Sequence, residues 1–128
     1  NIETFLTSKK SLECVVGMDT FFDKVINGYE IHIGRTSGPD CLRPILNISS
    51  GGGCIRTDGA SSSDGRITGS YVHGIFSSDD FRRAFLCNLG MIQSNTVNFN
   101  YEVDVTLDRL AAHLGKYIDI KCLFELAR

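Results

Sequence analysis

What this chain lacks bounds it first. Its apolar runs fall well short of the ~20 residues that a membrane-spanning helix needs, so no span is expected. It has no basic excess: 13 Lys and Arg against 15 Asp and Glu leave a net charge of −2, which argues against a nucleic-acid partner. No Cys-x-x-Cys pair occurs among Cys14, Cys41, Cys54, Cys87 and Cys122, which argues against a zinc knuckle. The cysteine count is odd and the spacings are wide, which argues against a disulfide framework as well. Reduced thiols are expected, most of them small buried core residues in a cytoplasmic protein. No secretory leader and no internal repeat are visible. There are only two prolines, Pro39 and Pro44, and both fall in residues 35–44, which read as loop.

What is present fits a folded chain. Of 128 residues, 42% are hydrophobic and 22% charged, which suits one domain or one large part of one. Residues 1–7 and 12–16 alternate enough to predict two short strands, with Ser8-Lys9-Lys10 as the turn between them. Residues 17–27 are mixed, with Phe21-Phe22 the expected buried pair. Gly28 to Gly34 alternates strictly: Tyr29, Ile31 and Ile33 point one way, Glu30 and His32 the other. Short strands are predicted at 45–48 and 54–56, around the turn Ser49-Ser50-Gly51-Gly52-Gly53, and residues 58–65 read as loop with turns at Asp58-Gly59 and Asp64-Gly65. A strand over Ile67–Val72 then delivers His73.

Beyond His73 the period becomes helical. Phe81, Ala84, Phe85 and Leu89 mark a helix with Ser78 as N-cap, Asp79 and Asp80 in its first turn and Gly90 as its stop. Residues 94–104 read as a polar excursion. Leu107, Leu110, Ala111 and Leu114 predict a second helix between Thr106 and Gly115; Ile120, Leu123, Phe124 and Ala127 predict a third, capped by Asp119. Strands first and helices last describe an α+β chain or the trailing part of a larger α/β fold.

His73 is the leading candidate for chemistry. An imidazole titrates near neutrality and can take and return a proton. A lone histidine is more often a packed side chain. Here, however, the residue ends a strand, is flanked by Gly69 and Gly74, and precedes a helix start. Glu30 and His32 share a strand face and could bind a metal or orient a partner, the plainer alternative being a solvated polar face. Arg35 could anchor a carboxylate. Cys54 follows three glycines, but a nucleophile elbow wants Gly two residues after the nucleophile, where this chain has Arg56. No helix start follows to depress the thiol pKa, so Cys54 is not expected to be a nucleophile. His113 reads as structural or exposed.

Two motifs then carry a resemblance. Gly28-Tyr29-Glu30-Ile31-His32-Ile33-Gly34-Arg35-Thr36 and Asp64-Gly65-Arg66-Ile67-Thr68-Gly69-Ser70-Tyr71-Val72-His73-Gly74-Ile75-Phe76 closely resemble the glutamine amidotransferase domain of the cobyric acid synthases. Asp79–Leu86 and Leu107–Leu114 fit as well, so the likeness covers nearly the whole chain. It implies a flavodoxin-like, class I amidotransferase domain of the α/β class, with a mixed sheet and C-terminal helices. In such a domain a cysteine thiolate attacks the glutamine carboxamide and a histidine relays the protons; His73 matches that histidine.

Glu30, His32, Arg35 and Tyr71 are candidates to orient His73 or to line the substrate site. The thiol's Gly-rich elbow has no counterpart in residues 1–128, so the chain is expected to be the C-terminal portion of the domain, inactive alone and prone to self-association. No cofactor is assigned to this chain. ATP and magnesium belong to a separate N-terminal domain, and glutamine and a corrinoid are the implied substrates. Many class I enzymes place Glu two residues after the histidine, where this chain has Ile75. The alternatives are the related domain of the cobyrinic acid diamide synthases, a thiol hydrolase using Cys54 and His73, and a non-catalytic binding domain.

Overall fold

A computed structural model of the chain describes residues 1–92 and 97–127. They form two compact units, residues 1–96 and 97–128. No helix is long and apolar enough to cross a membrane among the described residues.

The first unit is built on a long hairpin. Strand β1 (Glu3–Asp19) pairs antiparallel with β2 (Val25–Ser37). The two predicted strands before residue 17 are therefore one. The register passes from Leu6–Gly34 to Ser11–His32, so Thr7 to Lys10 bulge against the single residue Ile33. Thr7 holds this bulge in place of a turn, its hydroxyl donating to the Ile33 carbonyl at 2.8 Å and near the Lys9 carbonyl at 3.1 Å. The true turn comes after Asp19, whose buried carboxylate accepts from the backbone N–H groups of Phe21, Phe22 and Lys24 at 2.7–3.0 Å.

Strands β3 (Leu46–Ser49), β4 (Arg56–Asp58) and the short β7 (Val72–His73) complete a five-stranded sheet in the order β4-β3-β1-β2-β7. Every pairing in it is antiparallel, where the sequence implied a mixed sheet. For β1–β2 and β3–β4 the reason lies in the connections: parallel neighbours need a crossover of a dozen or more residues, and short loops join these strands. Strands β5 (Ala60–Ser61) and β6 (Thr68–Gly69) pair as a separate ribbon. The predicted strand over 67–72 is thus two pieces in two sheets, broken at Ser70-Tyr71. There the Ser70 hydroxyl accepts the Val72 N–H at 2.9 Å and turns the chain.

One sheet face is closed. Val15, Ile26, Ile45, Leu46, Ile48 and Val72 form the core, and Phe81 of helix α1 (Asp79–Asn88) caps it. Burying such an aromatic ring contributes about 1.5–3 kcal/mol. Phe22, Ile75 and Phe85 pack at the margin, whereas Phe21 is exposed, so one member of the expected pair is partly buried and the other is not. Helix α1 starts after Ser78 as predicted, but the Ser78 hydroxyl accepts from the Asn27 N–H at 3.0 Å and so fastens the helix start to β2. At the other end Gly90 takes a φ of 91°, and the N–H groups of Gly90 and Met91 reach the Cys87 and Leu86 carbonyls at 3.0 Å. That is the paired closure that a left-handed residue after a helix allows.

The second unit holds α2 (Phe99–Leu114) and α3 (Ile120–Leu126). Helix α2 begins about two turns before its predicted start, capped by the Asn98 side chain, which accepts from the Tyr101 N–H at 3.0 Å. Residues 99–104 are therefore helical; residues 94–96 of the predicted excursion lie outside the described residues. Thr106 sits inside the helix because its hydroxyl donates back to the Glu102 carbonyl at 2.8 Å. Asp119 caps α3 as expected, accepting from the Cys122 N–H at 3.0 Å.

Candidate functional site

His73 ends β7, an edge strand, and lies on the open face of the sheet. Its strand partner across β2 is Tyr29, and the two rings stack with centroids 5.3 Å apart and planes 16° from parallel. Gly28 makes this approach feasible: a Cβ there would meet the His73 carbonyl oxygen at 2.3 Å and Val72 Cγ1 at 2.8 Å. Gly74 then takes a φ of 81° and turns the chain toward α1. The His73 Nδ1–H donates to the Tyr71 carbonyl at 2.9 Å. In the neutral ring this puts the lone pair on Nε2, which has no hydrogen-bond partner among the described residues. The imidazole is oriented and its basic nitrogen faces outward.

Glu30 does not orient it. Residues paired across antiparallel strands share a face and successive residues alternate. Tyr29 pairs with His73 on the open face and Glu30 pairs with Val72 on the closed one. The sequence alternation of β2 was therefore read correctly, but its sides were reversed: Glu30 is 2% exposed, while Tyr29 and Ile33 are exposed. The polar face is the buried one because Arg56, from β4, grips both Glu30 carboxylate oxygens, one of them at 3.2 Å. That bidentate pair raises the pKa of the Arg56 guanidinium above its ordinary value, the hydrogen bond that Arg56 donates to Glu30 being the main cause.

His32 joins the same side. Its Nδ1–H donates to the Gly34 carbonyl at 2.7 Å, its Nε2 lies 3.7 Å from Glu30 Oε1, and its ring stacks on Tyr71 at 4.4 Å. Glu30 and His32 are thus brought together as predicted, but with a guanidinium where a metal reading would put a cation. The Tyr71 hydroxyl bonds Thr36 Oγ1, which bonds Thr4 Oγ1 at 2.7 Å. Arg35 is exposed and stands six residues along β2 from Tyr29, about 20 Å from the His73 row. The structure does not bring it to the histidine.

The thiols are not core residues. Cys14, Cys54, Cys87 and Cys122 are exposed, and Cys41 is partly so. Cys54 lies in the loop before β4, is exposed, and forms no hydrogen bond with His73 among the described residues. The structure does not pair the thiol and imidazole that a Cys54–His73 hydrolase would need. Cys14 shares the open face with His73, two strands away, and Tyr29 stands between them. Residues that the sequence did not single out are Tyr29, Arg56 and Asp58. Asp58 is 7% exposed; its carboxylate accepts from the Ser70 hydroxyl and from the Tyr71 N–H at 3.3 Å. An Asp-Gly pair signals a turn, and no local signal marks such an aspartate as buried.

Comparison with known proteins places this chain in a class. The model of the CobB/CobQ-like glutamine amidotransferase domain matches residues 1–81, and the chain belongs to that family. Curated relatives narrow the likeness. The chain is 44% identical over 128 residues to the cobyric acid synthase of Cereibacter sphaeroides, covering all of this chain and 25% of that protein. It is 46% identical over 128 residues to the cobyric acid synthase of a Bradyrhizobium species and 42% identical over 127 residues to that of a Ruegeria species, each with 25% of the relative covered. The chain thus spans about a quarter of the length of the curated relatives it matches. No solved structure shows significant similarity to it.

Proposed function

We propose that this chain is the histidine-bearing portion of a cobyric acid synthase amidotransferase domain of the flavodoxin-like class I type. In this reading the whole enzyme transfers ammonia from glutamine to carboxylates of a corrin ring in cobalamin biosynthesis, in the cytoplasm. A cysteine thiolate outside these residues attacks the glutamine carboxamide carbon. His73 delivers a proton to the departing ammonia, then takes one from the water that attacks the glutamyl thioester, and glutamate and the thiol are released. The observation that carries this reading is the His73 imidazole, its Nδ1–H committed to the Tyr71 carbonyl and its Nε2 open on an exposed face. Family membership and the names of the relatives support it. The related domain of cobyrinic acid diamide synthases would use the same chemistry; the relatives' names favour the first.

ATP and magnesium belong in this reading to a separate N-terminal domain. The two buried carboxylates closest to the site fit that assignment, since Glu30 and Asp58 are already held by protein donors. The test is a hybrid in which this chain replaces the aligned quarter of the Cereibacter sphaeroides enzyme. It is expected to amidate its corrinoid substrate with glutamine as nitrogen source, while the chain alone shows no glutaminase activity and takes no label from a glutamine-mimicking electrophile. A hybrid that folds but uses ammonia only, or a labelled isolated chain, would overturn the reading.

The open sheet face bears exposed Leu12, Val16, Met18, Val25 and Tyr29. Contiguous apolar surface of this kind drives association. We therefore expect the isolated chain to self-associate, with a mass in light scattering that rises with concentration; a clean monomer at high concentration would count against it.

A further inference from the structure

We propose that Asp58 is the positioning residue for His73. The position two residues after His73 holds Ile75, which offers no acceptor, and Glu30 lies on the other face of the sheet, bound to Arg56. The acceptor for Nδ1–H is instead the carbonyl of the peptide group joining Tyr71 to Val72. A backbone carbonyl orients an imidazole only as firmly as its own peptide plane is held. That plane is held from its opposite side: the Val72 N–H donates to Ser70 Oγ at 2.9 Å, and Ser70 Oγ donates in turn to Asp58 Oδ2. The same Oδ2 accepts from the Tyr71 N–H at 3.3 Å, so one carboxylate secures two successive peptide groups. Asp58 is itself fixed in β4, paired with Leu46, its carbonyl accepting from the Ile45 N–H at 3.1 Å. Its carboxylate is nearly buried, where hydrogen bonds to a carboxylate are less screened by water. The chain of contacts thus runs from Asp58 through Ser70 and one peptide plane to His73 Nδ1, with a carboxylate acting at one remove.

The catalytic meaning of this inference rests on the proposed role of His73, but its test does not. The tautomer of His73 is read in the isolated chain, labelled with nitrogen-15 histidine, from two-bond proton–nitrogen spectra about 1.5 pH units above the ordinary imidazole pKa of about 6.5. The native chain is expected to show His73 mainly as the Nδ1–H form. Asp58→Ala and Ser70→Ala are expected to shift it to mainly Nε2–H, and Asp58→Asn, which keeps an acceptor oxygen, to an intermediate mixture. His32 and His113 should not change. A His73 that stays Nδ1–H in either folded alanine variant overturns the inference. If Asp58→Ala does not fold, Ser70→Ala, which leaves the carboxylate in place, decides alone. Loss of glutamine use by the hybrid with the tautomer unchanged, or the reverse, separates failure of the functional reading from failure of this one.

Discussion

His73→Ala in the hybrid enzyme is expected to lower glutamine-dependent amidation by about 10²–10⁴-fold, the usual worth of a positioned proton carrier. Amidation driven by added ammonia should persist, because ammonia enters after the step that needs the histidine. In the proposed reading the magnitude follows from two proton transfers through one nitrogen. Expulsion of ammonia from a tetrahedral intermediate requires a proton on the leaving nitrogen, and attack of water on the thioester requires a proton removed. The geometry supplies one side chain suited to both. Nδ1–H is tied to the Tyr71 carbonyl, which leaves Nε2 as the nitrogen that would exchange protons in that reading. The Tyr29 ring lies nearly parallel to the imidazole and limits its rotation. His73→Asn, which can donate but cannot shuttle at neutral pH, should fall with the alanine variant. A glutamine-dependent rate within tenfold of the parent in a folded His73→Ala hybrid would remove His73 from the reaction.

Much of the site's frame was legible from local pattern, and the rest was set by long-range partners. The Gly28–Gly34 alternation gave β2 because the period of two depends only on the strand itself. Which face it buries depends on Arg56, 26 residues further on, whose guanidinium neutralises Glu30 and reverses the polar-outward rule. Helix α1 was legible because its signals are local: acidic residues in the first turn and Gly90 after the last. Ser8-Lys9-Lys10 looked like a turn because such polar runs often are. It is a bulge because Thr7 has the Ile33 carbonyl, on the neighbouring strand, to bond. The thiols were expected inside on composition, yet the alternation of β1 puts Cys14 on the same side as Tyr29. His73 was found from its setting between strand and helix. Its true orienting partner was hidden, since a backbone carbonyl has no sequence signature.

The largest expected effect on stability comes from Arg56. The Glu30 side chain is 3% exposed, and Arg56 takes both its oxygens. Arg56→Ala leaves that carboxylate charged, nearly buried and without its partner. Breaking a buried pair in this way typically costs ~3–5 kcal/mol. The Arg56 side chain is 42% exposed, so water can enter where it stood, and the lower bound, about 3 kcal/mol, is the expected loss in urea denaturation. Glu30→Gln should cost less, about 1 kcal/mol: it removes the buried charge, leaves an amide oxygen to accept from Arg56, and frees the guanidinium to turn toward Glu13, whose Oε2 is already 4.0 Å away. The double variant Glu30→Gln/Arg56→Ala should then be more stable than Arg56→Ala alone, since the uncompensated charge is gone. That ordering distinguishes a desolvated charge pair from simple loss of packing, for which the second substitution would add to the damage of the first. A double variant less stable than Arg56→Ala would show that Glu30 is solvated in its place on β2, and that the buried polar face of this sheet is held by something other than the Glu30–Arg56 pair.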